Sequence, residues 1–367
     1  MKARTLLWVD RSVGFPLLAL ANLAARAAGA LGGRNHDARP EDVRCIAVAK
    51  FLGLGSIVQA TPLLRALRGR FPSARLLFVT TSGNASMVRR LGLVDDVVGV
   101  DAASPLRLAA SAARAWSRVV RARPDLYFDL EVYSALACLF ALASLARNRL
   151  GFFRHHAVLK RGAHTHLLYF NTRRPVSRLY SQLGALAGAS PGTEAGLVAP
   201  RVEEAERQRV RELLRERLGA GPHEYIVLNP NASDLLVERR WPVESFRALA
   251  RELAARGERL VVIGSPGERP WAARVAAAVG EEHAWNSAGE LSLGELGALL
   301  EDARLVVTND TGPMHLAAAL GAPMVCLFGP CDPAHYGLEG PRVETIHKAI
   351  LCSPCVHETD RPPCAGD

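Results

Sequence analysis

Short apolar, β-branched runs alternate with helical stretches along this chain, and the alternation starts afresh halfway. The first round opens with Val43-Arg44-Cys45-Ile46-Ala47-Val48, passes a Gly-rich turn and a predicted helix from Ile57 to Arg70, and continues through strand-like runs at 76–79, 97–100 and 126–130. A polar helix predicted from Arg201 to Leu218 opens the second round. Strand-like runs follow at 225–229, 260–264, 305–310 and 323–329, with a helix predicted from Val243 to Arg256. Continuous apolar strands separated by helices indicate parallel sheets covered on both faces. The expected class is α/β, with two Rossmann-like domains meeting near residues 190–222 and ligands bound at the strand carboxyl ends facing a central cleft. A length of 367 residues accommodates two cores. The chain divides into an arm (1–42), a first domain (43–200), a second domain (201–345) and a Cys-containing tail (346–367).

Charge narrows the partners. Forty-five basic residues against 36 acidic leave a net +9, which attracts nucleic acid, an anionic membrane surface or phosphorylated substrates. Only 6% of residues are aromatic, and none interleave with Lys/Arg runs, so nucleic acid is not the expected partner. Seven cysteines make no disulfide framework. Cys45, Cys138 and Cys326 sit in apolar runs as small hydrophobes, and a reducing compartment fits this usage.

In the arm, Val13 to Ala25 carries no charge. Thirteen residues are too few to span a bilayer, which needs about 20. A basic start and an apolar core also suit a signal peptide, but Asp10 and Arg11 interrupt the approach. The arm is expected to be a helix on the inner face of a membrane, with Lys2, Arg4, Arg11 and Arg26 near anionic headgroups, or a helix packed on the domain.

Three segments carry candidate chemistry. The turn Lys50-Phe51-Leu52-Gly53-Leu54-Gly55-Ser56, followed by Gln59 and Thr61-Pro62, lets backbone approach a ligand, although Gly-x-Gly alone is more often a tight turn with no ligand. Asn309-Asp310-Thr311-Gly312-Pro313-Met314-His315 joins a strand end to a helix start, where N–H groups hold a diphosphate without a cation. The simpler role for Asp310 is a helix cap. Asn229-Pro230-Asn231-Ala232-Ser233, then Arg239-Arg240-Trp241-Pro242, suits phosphate oxygens, and Glu268 suits ribose hydroxyls.

Two further clusters are weaker. From Arg147 to Arg178 the chain holds Arg147, Arg149, Arg154, Lys160, Arg161, Arg173, Arg174 and Arg178 with no acidic residue, and also His155, His156, His164 and His166. This reads as a basic patch for a phosphorylated, membrane-embedded acceptor, with the histidines as part of it and no metal site. Cys352, Cys355 and Cys364, with His357 or Cys331, resemble a partial zinc knuckle, and free thiols are expected.

Taken together, the Gly-rich turn with Thr61-Pro62, Arg239-x-Trp241-Pro242, Asp310-Thr311-Gly312-x-x-His315 and Phe328-Gly329-Pro330-x-Asp332-Pro333 resemble glycosyltransferase family 9, the ADP-heptose:lipopolysaccharide heptosyltransferases and relatives. The resemblance implies a GT-B fold with an acceptor-binding first domain and a nucleotide-sugar-binding second domain. It also implies inverting, metal-independent transfer with no cofactor. By the same likeness Asp310, Thr311, Gly312 and His315 contact the donor diphosphate and sugar, with Asn231 and Ser233 beside them. Arg239 takes the place of a family lysine that neutralises the leaving phosphate, Glu268 binds the ribose, and Leu291-Ser292 borders the base. Gly53, Gly55, Ser56 and Gln59 form the acceptor-side loop. One departure matters: Ser56 stands where these enzymes place an aspartate as general base, and a serine needs a partner base. Glu131, just past the strand at 126–130, is the candidate substitute, so Glu131, Arg239 and Asp310 are the expected catalytic residues. The expected partners are a nucleotide-diphosphate sugar, probed first as ADP-heptose, and an anionic lipid-linked glycan acceptor. The place expected is the cytoplasmic face of the inner membrane. A nucleotide-sugar epimerase or hydrolase, or a non-catalytic binder, are the alternatives. GT-B relatives end with a helix that crosses back, so a chain ending in loop sequence is expected to be truncated.

Overall fold

A computed structural model of the chain describes residues 8–32, 36, 42–154, 157–190, 196–232, 236–348 and 350–356. It divides into two compact units, one of 1–171 with 176–196 and the other of 172–175 with 197–367. The arm belongs with the first unit.

The first unit is built on six parallel strands: β1 (Cys45–Ala49), β2 (Arg75–Thr81), β3 (Asp96–Val100), β4 (Leu126–Asp129), β5 (Asn148–Phe153) and β6 (His166–Tyr169). Their order across the sheet is β3-β2-β1-β4-β5-β6. Every residue of β1 is buried, as helices on both faces require of a central parallel strand. Ala49 is level with Val79 on one side and Asp129 on the other, which brings the segments after β1 and β4 together. The single helix predicted from Ile57 to Arg70 is two, Leu54–Gln59 and Thr61–Arg70. Ala60 separates them, because Pro62 has no N–H to continue the ladder and suits a new first turn.

The second unit repeats the plan with β7 (Tyr225–Asn229), β8 (Arg259–Val262), β9 (Ala284–Asn286), β10 (Leu305–Asn309), β11 (Met324–Phe328) and β12 (Val343–His347), ordered β12-β11-β10-β7-β8-β9. Strand order therefore reverses between β7 and β10, where doubly wound sheets bind ligands. The polar helix begins at Glu204, later than predicted, because Glu203 and Glu206 form a capping box there.

The arm helix spans Phe15–Gly32, after a π-turn at Asp10–Gly14. Leu18 packs on Ala135, Cys138 and Ala163. Asp10 caps the Ala135–Ala143 helix: it accepts from Ser134 Oγ (2.8 Å) and from the N–H groups of Ala135 (3.0 Å) and Leu136 (2.8 Å). No described helix is long and apolar enough to cross a membrane.

Candidate functional site

In the second unit, β10 delivers Asp310 and Thr311 to the start of the Gly312–Ala319 helix, with Pro313 in its first turn. A short 3-10 turn, Val237–Arg239, brings Arg239 opposite, and its Nη2 lies 2.8 Å from Asp310 Oδ2. The Asp310 side chain is 2% exposed. Arg239 also lies over the Tyr336 ring at 5.9 Å. Burial opposes the guanidinium charge, but the facing Asp310 carboxylate and the Cys331 and Tyr336 neighbours hold its pKa above the ordinary value. The cation is therefore fixed in place. Its Nε and the Asn231 Oδ1 are both buried without a hydrogen-bond partner among the described residues.

His315, one turn into the helix, is buried, and burial drives its pKa down to about 4, with Asp310 opposing and Arg239 reinforcing the shift. It is neutral at pH 7. The backbone here is set by asparagines. Asn229 donates to Thr308 Oγ1 (2.9 Å) and Thr311 Oγ1 (2.8 Å), Asn231 donates to the Ile263 carbonyl (2.6 Å), and Asn309 accepts from the Trp241 N–H (3.1 Å). Gly264 must lack a side chain, since a Cβ there would meet Asn231 Nδ2 at 2.8 Å.

Several expected partners separate. Arg239 and Arg240 do not act as a pair: Arg240 donates to the Ala232 carbonyl (2.6 Å) and lies over the Trp271 ring, because alternate residues of a turn point apart. Asp310 is the counter-ion of Arg239, and a carboxylate so placed repels phosphate. Glu268 closes a capping box by accepting the Ser265 N–H (2.8 Å), and Ser292, next to Leu291, caps the Leu293–Glu301 helix. Ser233 lies outside the described residues. Cys331 and Tyr336, beside Arg239, were not singled out for this site; their position just past the end of β11 is the signal that places them there.

In the first unit, Gly53 has φ +86°, a conformation that favours glycine, and starts the Leu54–Gln59 helix. Gly55 and Gln59 are buried in that helix. Glu131 organises the turn. Its Oε2 meets Lys50 Nζ at 2.9 Å, and its Oε1 accepts the N–H groups of Phe51 (2.8 Å) and Leu52 (3.0 Å). Burial opposes the Lys50 charge, but Glu131 outweighs it and raises the pKa. Tyr180 is pushed up by burial, with Lys50 and a hydrogen bond to Ser56 opposing, so Ser56 adjoins this cluster. Glu131 N–H in turn donates to Asp129 Oδ1 (3.0 Å), whose Oδ2 meets His164 Nε2 at 3.0 Å.

The basic segment is less of a surface than its composition suggests. Lys160 is buried and donates to the Val132 and Phe152 carbonyls, Arg149 is tied to the Ala146 and Ala163 carbonyls, and Arg173 and Arg174 belong to the second unit. His164 is not part of a patch: it is buried against Asp129, and with Cys138 these form a group of possible metal ligands, atoms within 4.8 Å of one another. Burial and the Asp129 carboxylate drive the Cys138 thiol up to about 12, with Lys160 opposing. His155 and His156 lie outside the described residues. In the tail, Cys352 and Cys355 gain no third ligand among the described residues, while Cys364 and His357 lie outside them.

Comparison with known proteins gives the family and the fold. The family model for Glycosyltransferase family 9 (heptosyltransferase) matches residues 132–365. Lipopolysaccharide heptosyltransferase 2 of Escherichia coli (strain K12) is 39% identical over 98 residues, 26% of this chain and 28% of that protein. Lipopolysaccharide heptosyltransferase 3 of Escherichia coli is 27% identical over 285 residues, 76% of this chain and 81% of that protein. The match to the first of these relatives spans a little over a quarter of its length. The solved E. coli ADP-heptose lps heptosyltransferase II superposes with a TM-score of 0.68 at 20% identity, covering 83% of this chain and 90% of that one. At that identity the likeness speaks for the fold, two parallel α/β units of GT-B type.

Proposed function

Because the chain belongs to glycosyltransferase family 9 (heptosyltransferase), we propose that it transfers a sugar, heptose, from an ADP-sugar to a lipopolysaccharide core or related envelope glycan, with inversion and without a metal. The observation that carries this reading is the part-buried Arg239, held by Asp310 at 2.8 Å beside the start of the Gly312–Ala319 helix. A cation, orphan N–H groups and a neutral His315 together stabilise a departing diphosphate, whose charge grows as the glycosidic bond breaks. Thr311, Gly312, Asn231, Ser233 and His315 are assigned to the diphosphate and sugar, Glu268 to the ribose, and Leu291 to the base. Asp310 acts through Arg239.

Residues 43–200 are assigned to the acceptor and 201–345 to the donor. Glu131 is the proposed base: the acceptor hydroxyl attacks the anomeric carbon from the face opposite the diphosphate, and its proton passes to Glu131. Its bonds to Lys50 and the 51–52 backbone position the carboxylate beside Ser56. The acceptor is an anionic lipid-linked glycan at the cytoplasmic face of the inner membrane.

The test is ADP release from ADP-heptose by the purified chain, with and without a deacylated lipopolysaccharide-core acceptor. Acceptor-dependent release that falls at least a hundredfold in Arg239→Ala and Glu131→Gln supports transfer. Acceptor-free turnover assigns an epimerase or hydrolase, and binding without turnover assigns a binder. Thermal stabilisation by UDP-sugars but not ADP-sugars overturns the donor.

A further inference from the structure

The Phe15–Gly32 helix is apolar on two opposite sides, and the first unit covers one of them. The covered side is firmly held. Leu18 is 1% exposed, Asn22 Nδ2 donates to the Val158 carbonyl (3.1 Å), and Asn22 Oδ1 accepts the Gly162 N–H (2.5 Å). These bonds, with the Asp10 cap at its base, fix the rotation of the helix about its axis. At 3.6 residues per turn, Leu17, Leu20, Leu23, Ala24 and Ala27 then face away from the body. Leu20 and Leu23 are 69% and 68% exposed, and Trp8 at the start of the segment is 65% exposed. Val158, whose carbonyl meets Asn22 on the covered side, is itself 59% exposed.

An uncharged leucine face of this kind calls for an apolar cover, and the helix is too short to span a bilayer. Charge identifies the cover. No acidic residue occurs between Arg11 and Arg34, nor between Val132 and Thr193, and the second stretch supplies the helices at 135–143 and 157–160 on which the arm packs. Arg26 and Arg161 are exposed, and the Arg26 stem lies so close to Gly162 that a Cβ there would meet its Cγ at 3.1 Å. Leucines are flanked by guanidinium groups with no carboxylate among them.

We propose that this face docks the first unit onto an anionic lipid bilayer, with the helix lying in the interface plane. Acyl chains take Leu17, Leu20 and Leu23, and phosphate headgroups take Arg26 and Arg161. A helix pinned to the body by Asp10 and Asn22 carries the whole unit to the membrane in one orientation. This docking deepens the proposed membrane-side reaction but does not depend on it, since it requires neither donor nor acceptor.

Flotation of the full chain with phosphatidylcholine vesicles, with and without phosphatidylglycerol, tests it. The chain floats with the anionic vesicles and is released by salt. The triple variant Leu17→Glu, Leu20→Glu, Leu23→Glu loses at least a hundredfold in partitioning, at about tenfold or more per leucine, with an unchanged circular dichroism melt because these side chains are exposed. Arg26→Glu with Arg161→Glu loses at least about thirtyfold, the effect of removing two positive charges, with repulsion of the new carboxylates adding to it. Absence of flotation, equal flotation of the leucine variant, or equal binding to neutral vesicles overturns the proposal. A dimer in light scattering that the leucine variant breaks, without vesicle binding, overturns it in favour of a second copy as the cover. ADP release with the soluble acceptor, measured on the same preparations, separates a failure of docking from a failure of the transferase assignment.

Discussion

Replacing Asp310 by Asn removes one charge and almost no volume, and leaves Arg239 facing a neutral amide. The Arg239 side chain is 19% exposed against 2% for Asp310, and its partner oxygen sits 2.8 Å away, so water takes over only in part. Breaking a buried pair by removing one partner costs about 3–5 kcal/mol, most of it the penalty of the stranded charge. For a unit of this size each kcal/mol shifts the melting temperature by about 2–4 °C, so Asp310→Asn is expected to melt roughly 10 °C below the parent chain. The double variant Arg239→Met, Asp310→Leu removes both charges and fills the space, and is expected to recover most of that loss. Thermal and urea unfolding followed by circular dichroism compares the parent chain, the single variant and the double variant. A loss under about 1 kcal/mol for Asp310→Asn, or a double variant no better than the single one, would refute the reading that Asp310 exists to hold this cation.

His315 makes stability depend on pH. It is neutral in both states above pH 6.5; below that the unfolded chain takes up a proton that the folded one, with a pKa of about 4, refuses, so stability falls between pH 6.5 and 4 by about 3 kcal/mol. His315→Gln is expected to flatten that part of the urea-midpoint profile, and an unchanged slope would contradict the assignment. Gly151→Ala would set a Cβ 2.5 Å from His164 Cδ2, and overpacking of this kind costs about 1–3 kcal/mol in unfolding experiments. Asp10→Ala leaves Ser134 as the N-cap of the Ala135–Ala143 helix but removes the acceptor of the Ala135 and Leu136 N–H groups, for a loss of about 1–2 kcal/mol in thermal unfolding.

What could be read along the chain was whatever depends on neighbours in sequence. The apolar runs of β1 and β7 mark central parallel strands because both of their faces are covered. Pro313 after Thr311-Gly312 marks a helix start because proline lacks the N–H that the first turn does not use, and Gly53 marks a turn because its φ is positive. Periodicity missed the break at Ala60, since residues on either side of it keep the apolar spacing while the backbone restarts at Pro62.

Pairing across the fold was not legible in this way. Glu131 spends its oxygens on Lys50 and the turn 81 residues earlier, His164 leaves the basic segment for Asp129 at a separation of 35 residues, and Arg239 parts from its neighbour Arg240 to meet Asp310. Composition counted Lys160 and Arg149 as surface charge, yet both are turned toward carbonyls of the first unit. A charge's role depends on which groups desolvate and oppose it, and those are chosen by strand register and helix packing. The amino-acid sequence by itself determined the strand–helix alternation, the turn chemistry and which residues had polar or charged groups to offer. The tertiary structure decided which of those groups are held as ion pairs in the interior and which, like the leucines and arginines of the arm helix, are left facing outward.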